Sequence, residues 1–311
     1  MLTSVVFSLE LRSYGANDGG GKGIELPATA GRAIYSLVLG AIAQVDPKLA
    51  ERLHASGSQP RQPVRFTTSP LQGPLTPTAG GRSVRLDPQG EYWLRVTGLD
   101  REVSEQLLEL CETLPARGQQ WELLGVPLEV VGATAKPEEH PWAAQIAYAD
   151  LYRRWVVECP RPPRRLGLQF LSPTTFRKGK RNFPFPLPRL VFLTLAEKWN
   201  AFSPVHLGAD LHEVIDGAVE LARYELRTRV LRFPHGPETG FVGRCEYRLL
   251  LDRTTAEGDT IGRLLHLLAD FAFFAGVGAK TAMGMGQTRR EPFASPHRSQ
   301  AGLDAKVGRT R

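Results

Sequence analysis

The chain has 311 residues, 42% of them hydrophobic and 23% charged. That balance buries a core and excludes wholesale disorder, and the length fits two domains. Three dispersed cysteines, Cys111, Cys159 and Cys245, exclude a disulfide-stapled scaffold and read as buried thiols in a reducing compartment. The net charge of +7 points toward a polyanion.

In chain order, residues 3–12 alternate apolar and polar side chains and predict a strand. They carry no basic, apolar leader pattern, so a signal peptide is not expected. A glycine-rich loop follows at 15–23. Ala33, Ile34, Leu37, Val38, Ala41 and Ile42 then recur at helical spacing within 27–45. Asp46-Pro47 starts a second short helix, expected to end at His54. Strands are predicted at 64–69 and 92–97, a helix at 100–114, and strand again at 121–131. The order β-α-β-β-α-β, with one extra helix, is the ferredoxin-like pattern.

Past a Pro/Arg linker at 160–165 the order repeats. Strand is predicted at 166–170, helix at 190–202, strands at 224–233 and 241–251, helix at 260–274, and a final strand from 284. The fold class expected is α+β, with two tandem ferredoxin-like, RRM-like domains at 1–155 and 160–290. A basic, disordered tail is expected at 291–311. The stretch 264–277 is broken by His266 and Asp270 and is too short to span a membrane. A cytoplasmic protein with no membrane partner is expected. His266, on an apolar helix face, reads as a packed core imidazole. Between Cys159 and Ala196 no acidic residue occurs, whereas Arg177, Lys178, Lys180 and Arg181 all fall there. That local basic field suits phosphate contacts.

The most specific pattern is Gly276-Val277-Gly278-Ala279-Lys280-Thr281-Ala282-Met283-Gly284-Met285-Gly286. Ala279 interrupts the Gly-Lys-Thr that a P-loop requires. The loop also follows a helix, so a dinucleotide fingerprint fails. Two readings stay open: a backbone cradle with Lys280 for a phosphate chain, or a turn that packs a helix close to a sheet.

Two GxG units flanking a basic pentapeptide resemble the glycine loop of the RAMP superfamily of CRISPR-associated proteins. Phe170-Leu171-Ser172-Pro173-Thr174 and Asp46-Pro47-Lys48-Leu49-Ala50-Glu51-Arg52-Leu53-His54, with Phe66-Thr67-Thr68-Ser69-Pro70, are similar to the repeat-RNA-processing endoribonucleases, the Cas six family, of that superfamily. The resemblance covers residues 1–290 by order of elements. It implies an endoribonuclease that matures CRISPR RNA by cutting repeats in a long transcript. Cleavage would need no metal or cofactor. The 2′-hydroxyl would attack the adjacent phosphorus, giving a 2′,3′-cyclic phosphate and a 5′-hydroxyl. That reaction needs a base, an acid and positive charge at the phosphorane.

The resemblance places the catalytic histidine at His54, and imidazole suits proton transfer near neutrality. The tyrosine that the family carries on the first helix is replaced by Leu39, with Tyr35 one turn earlier on the same face as the substitute. The family's lysine is replaced by Val64, leaving Arg65 and Arg61 as the cations nearby. The RNA-binding residues expected are Gly276, Gly278, Lys280, Gly284, Gly286, Arg177, Lys178, Lys180 and Arg181. The partners expected are CRISPR repeat RNA and its crRNA product, with a CRISPR effector complex and a homodimer as further candidates. The alternative reading is a RAMP-type subunit that holds crRNA without cutting it.

Overall fold

The structure is a computed structural model that describes residues 1–12, 24–58, 62–179, 181–208, 211–233, 236–251 and 256–291. The glycine-rich stretch 15–23, Arg61, Lys180 and the tail lie outside them.

In the first half, β1 (Leu2–Leu11) is followed by β2 (Glu25–Pro27), α1 (Gly31–Val45), α2 (Pro47–Ser58) and β3 (Phe66–Thr68). Then come β4 (Leu75–Pro77), β5 (Ser83–Leu86), β6 (Glu91–Gly98), α3 (Arg101–Ala116), β7 (Gln120–Leu123), β8 (Val126–Thr134) and β9 (Ala144–Ile146). The main sheet runs β3-β6-β1-β8-β7, with β9 also on β1. Val5, Phe7 and Leu9 share one face of β1 and meet Ile34, Val38 and Ile42 of α1 with Val103, Leu107 and Leu110 of α3. The opposite face is covered by Trp142 and Ala143 on Val6.

Two helix ends differ from the sequence expectation. Residues 25–27 pair with β5, which pairs with β4, in a separate three-stranded sheet. Helix α1 therefore starts at Gly31 and not at 27. Helix α2 is capped as expected, with Leu49 N donating to Asp46 Oδ1 at 2.9 Å. It continues to Ser58, so His54 sits within the helix and not at its end.

In the second half, α4 (Tyr148–Tyr152) and a π-helical turn (Arg153–Val157) lead into β10 (Arg165–Thr174) and a small hairpin, β11 (Phe176–Lys178) and β12 (Arg181–Phe183). Then come α5 (Pro188–Phe202), α6 (Leu211–Ala218), β13 (Val219–Phe233), β14 (Gly236–Leu249), α7 (Ala256–Ala275) and β15 (Thr288–Arg290). The sheet order β13-β14-β10-β15 repeats the β3-β6-β1-β8 order of the first half. The chain thus forms two tandem ferredoxin-like domains. The last strand starts at Thr288 and not at 284, because 276–287 form a loop. Phe241 and Tyr247 belong to the second core, so β14 offers no aromatic stacking face of the RRM kind. Cys245 is buried, but Cys111 and Cys159 are only half-buried, a correction to the expectation of three buried thiols. Among the described residues no helix is long and apolar enough to cross a membrane.

Candidate active site at the domain junction

Helix α7 ends against the first domain, and its last carbonyls are capped by side chains. Arg95 donates to Phe273 O. Thr97 and Thr67 hydroxyls donate to Phe274 O at 2.8 and 3.2 Å. Lys198 Nζ donates to Ala275 O at 2.8 Å and Gly276 O at 3.0 Å. Each answers an acceptor that a helix C-terminus leaves without an intrahelical donor.

The glycine loop starts there. Gly276, Gly278, Gly284 and Gly286 all hold positive φ. Val277 N donates to Gly286 O at 2.8 Å, closing the loop's neck. A Cβ at Gly286 would stand 2.1 Å from Val277 O, and one at Gly278 would stand 2.3 Å from Thr175 O; only glycine fits such approaches. The loop's short 3-10 turn, Thr281–Met283, enters the first domain. Thr68 donates to Ala282 O at 3.0 Å, and a Cβ on Gly31 would lie 2.0 Å from Met283 O. Both open readings of the loop bear on its form. The glycines allow close packing, and the loop also presents Lys280. The amides of Gly276 and Gly286 donate to Ala272 O and Pro173 O at 3.0 and 3.1 Å. These two amides are therefore spent inside the fold, which favours the packing reading at Gly276 and Gly286.

This insertion closes a cleft of about 350 Å³ lined by Arg32 and Tyr35 from α1, His54 from α2, Val64, and Lys280 with Met283 from the loop. His54 is exposed. The Tyr35 ring stacks on Phe66 at 5.3 Å between centroids, and its hydroxyl donates to Leu53 O at 3.5 Å. Burial pushes the Tyr35 phenol up from its ordinary pKa, so it is a hydroxyl donor at neutral pH. Leu39, at the family's tyrosine position, packs against the first core.

Arg65 departs from expectation. It donates to Asp100 and, at 2.7 Å, to Glu102, at the N-terminus of α3. It does not line the cleft with His54. Among the described residues, the cations lining the cleft are Lys280 and Arg32. Sequence reasoning misses Arg32 in this role, although it stands three residues before Tyr35 on the same helical face.

Lys280 Nζ donates to Glu238 Oε1 at 2.6 Å and lies 4.0 Å from the Phe233 ring centroid. Arg177 Nη2 donates to the same Glu238 oxygen at 2.6 Å, and Asn182 to the other oxygen at 2.6 Å. Burial alone would raise the Glu238 carboxyl. The bonds and charge of Lys280, with Asn182 and Arg177, outweigh it and hold the pKa below the usual carboxylate value. The basic segment is thus answered by acids from elsewhere in the chain, because Arg189 also pairs with Asp216 at 2.5 Å. Arg181 is exposed on β12, paired in register with Lys178.

Comparison with known proteins agrees with this architecture. The family described as CRISPR-associated endoribonuclease Cas6 matches residues 168–288, and the CRISPR Cas6 N-terminal domain matches residues 22–153. The CRISPR-associated endoribonuclease Cas6 of Mycobacterium tuberculosis is 25% identical over 229 residues, 68% of this chain and 66% of that protein's length. A product complex of Thermus thermophilus Cas6 superposes with a TM-score of 0.71 at 28% identity, covering 94% of this chain and all of the other. A Cas6 substrate mimic complex has a TM-score of 0.66 at 27% identity, covering 93% and 99% of the two chains. The chain belongs to the Cas6 family of CRISPR-associated endoribonucleases.

Proposed function

We propose that this protein cleaves CRISPR repeat RNA within precursor transcripts, by a route that needs no metal, and releases or retains mature crRNA. The observation that carries the reading is the convergence of His54, Tyr35, Arg32 and Lys280 on one cleft in a Cas6-family chain. The 2′-oxygen of the nucleotide before the cut attacks phosphorus, and the bond from phosphorus to the 5′-oxygen breaks. The products are a 2′,3′-cyclic phosphate and a 5′-hydroxyl. His54 carries the proton between the attacking and leaving oxygens. Tyr35 turns its hydroxyl from Leu53 O to donate a hydrogen bond to the phosphate. Lys280 and Arg32 balance the charge that develops on the phosphorane. Arg177, Lys178, Lys180 and Arg181 grip the backbone of the repeat, and Gly276, Gly278, Gly284 and Gly286 act by folding the loop that presents Lys280. The related product and substrate mimic complexes support binding of this kind.

The experiment is cleavage of the host's own repeat RNA in EDTA by wild type and His54→Ala. Loss of about 10²- to 10⁴-fold in rate, with RNA binding retained, is the expected result. Binding without cleavage by either protein would instead assign a non-catalytic crRNA-holding subunit. Wild-type cleavage by His54→Ala would remove the histidine from the mechanism.

A further inference from the structure

We propose that Glu238 is a positioning residue that sets Lys280 in the cleft and couples it to the basic β11–β12 hairpin. This rests on the reading of the cleft given above. The Glu238 side chain is 8% exposed, whereas Lys280 is 22% and Arg177 is 53% exposed. The carboxylate therefore lies beneath the two cations, and they cover it. It takes donors from three elements: Arg177 of β11, Asn182 of β12 and Lys280 of the glycine loop, each at 2.6 Å.

A lysine has a flexible stem and three equivalent donors, so its ammonium is fixed only by what surrounds it. Here the Glu238 carboxylate and the Phe233 ring, 4.0 Å from Nζ, do that fixing. Residue 280 also holds a positive φ of 58°, a backbone conformation that a lysine rarely adopts. One buried carboxylate thereby fixes the spacing of a cation in the cleft and a cation on the hairpin. RNA seated on Arg177 then meets Lys280 already in place. The role is preorganisation, which acts on the chemical step more than on affinity. Removing the negative charge leaves both cations present and lowers the charge opposing RNA.

The test is a double-mutant cycle in single-turnover cleavage, with Glu238→Gln, Lys280→Met and the double variant. The expected result for Glu238→Gln is a fall of about tenfold in the cleavage rate, with RNA affinity unchanged or tighter. The double variant should cleave no more slowly than Lys280→Met, because Glu238 acts through Lys280. Glu238→Asp keeps the charge with a shorter reach. It should fall between wild type and Glu238→Gln, and it carries the same cycle if Glu238→Gln does not fold. A wild-type rate for Glu238→Gln, or a loss that multiplies fully with that of Lys280→Met, overturns the proposal. A wild-type rate for Lys280→Met and His54→Ala would instead overturn the reading of the cleft, which separates the two failures.

Discussion

Tyr35 shows what a single side chain contributes to the cleft. Its ring is held by the stack on Phe66, so the hydroxyl can be removed with little effect on packing. Tyr35→Phe is expected to slow cleavage by about tenfold, taking one charge-directed hydrogen bond as the loss, while thermal unfolding stays near wild type. A rate equal to wild type would assign the ring a packing role alone. At this scale the sequence is informative where neighbours share a helix. Tyr35 is reachable from Leu39 because the two lie one turn apart. Arg65 leaves its expected place because the acids that engage it, Asp100 and Glu102, start the next helix of the same domain. Lys280 is legible as a candidate RNA ligand, but its place beside His54 depends on how the second domain docks, and no local pattern encodes that.

Among the elements, the glycine loop and the β11–β12 hairpin carry separate predictions. Gly286→Ala places a Cβ against Val277 O at a φ of 71°. It is expected to cost more than about 2 kcal/mol, read by chemical denaturation, and to displace Lys280 with the loop. Neutralising Arg177, Lys178, Lys180 and Arg181 is expected to weaken RNA binding and flatten its salt dependence, by about one unit of slope for each phosphate no longer neutralised. An unchanged slope would move the backbone grip elsewhere. Most long elements are legible because their apolar periods are unbroken, as in β1 and α3. The short strands are not. Residues 25–27 and 75–77 form three-residue strands ending in Pro27 and Pro77, and proline in a short edge strand erases the usual signal. Helix α2 outruns its expected end because Ala55, Ser56 and Gly57 stay helical to Ser58; one glycine in a helix costs only about 1 kcal/mol against alanine.

For the whole molecule, the question is what holds two ferredoxin-like domains in one arrangement. One joint is the capped end of α7. Its key is Arg95, 3% exposed, with Nε donating to Ser4 at 2.7 Å and its guanidinium over the Phe273 and Trp142 rings at 4.2 and 4.9 Å. Burial pushes its pKa down to about 9, so it stays charged at neutral pH without a carboxylate among these partners. Arg95→Ala is expected to lower stability by about 2–4 kcal/mol, from a cavity plus stranded acceptors at Ser4 and Phe273. The second joint pins the linker between the domains, and it makes the molecule sensitive to acid. His266, fully buried on α7, donates from Nε2 to Pro163 O at 2.8 Å. Its Nδ1 therefore accepts from Arg290 at 2.9 Å. Trp155 stacks on the imidazole at 4.7 Å and donates to Asp270 at 2.6 Å, which also accepts from Arg290 at 3.0 Å. With Nδ1 already taken by a donor, a second proton has no place. Burial first, then Arg290, push the His266 pKa down to about 4, against the opposing pull of the Pro163 bond and Asp270. An unfolded histidine titrates near ~6.5, so between that value and about 4 the unfolded chain binds the extra proton and the folded chain does not. Stability is thus complete above ~6.5 and falls with acidification through the window, by roughly 3 kcal/mol in all. Denaturation midpoints measured across that range should decline with acid in wild type and decline less in His266→Gln, which cannot titrate. Equal declines in the two proteins would locate the acid sensitivity in other groups and leave His266 a packing residue only.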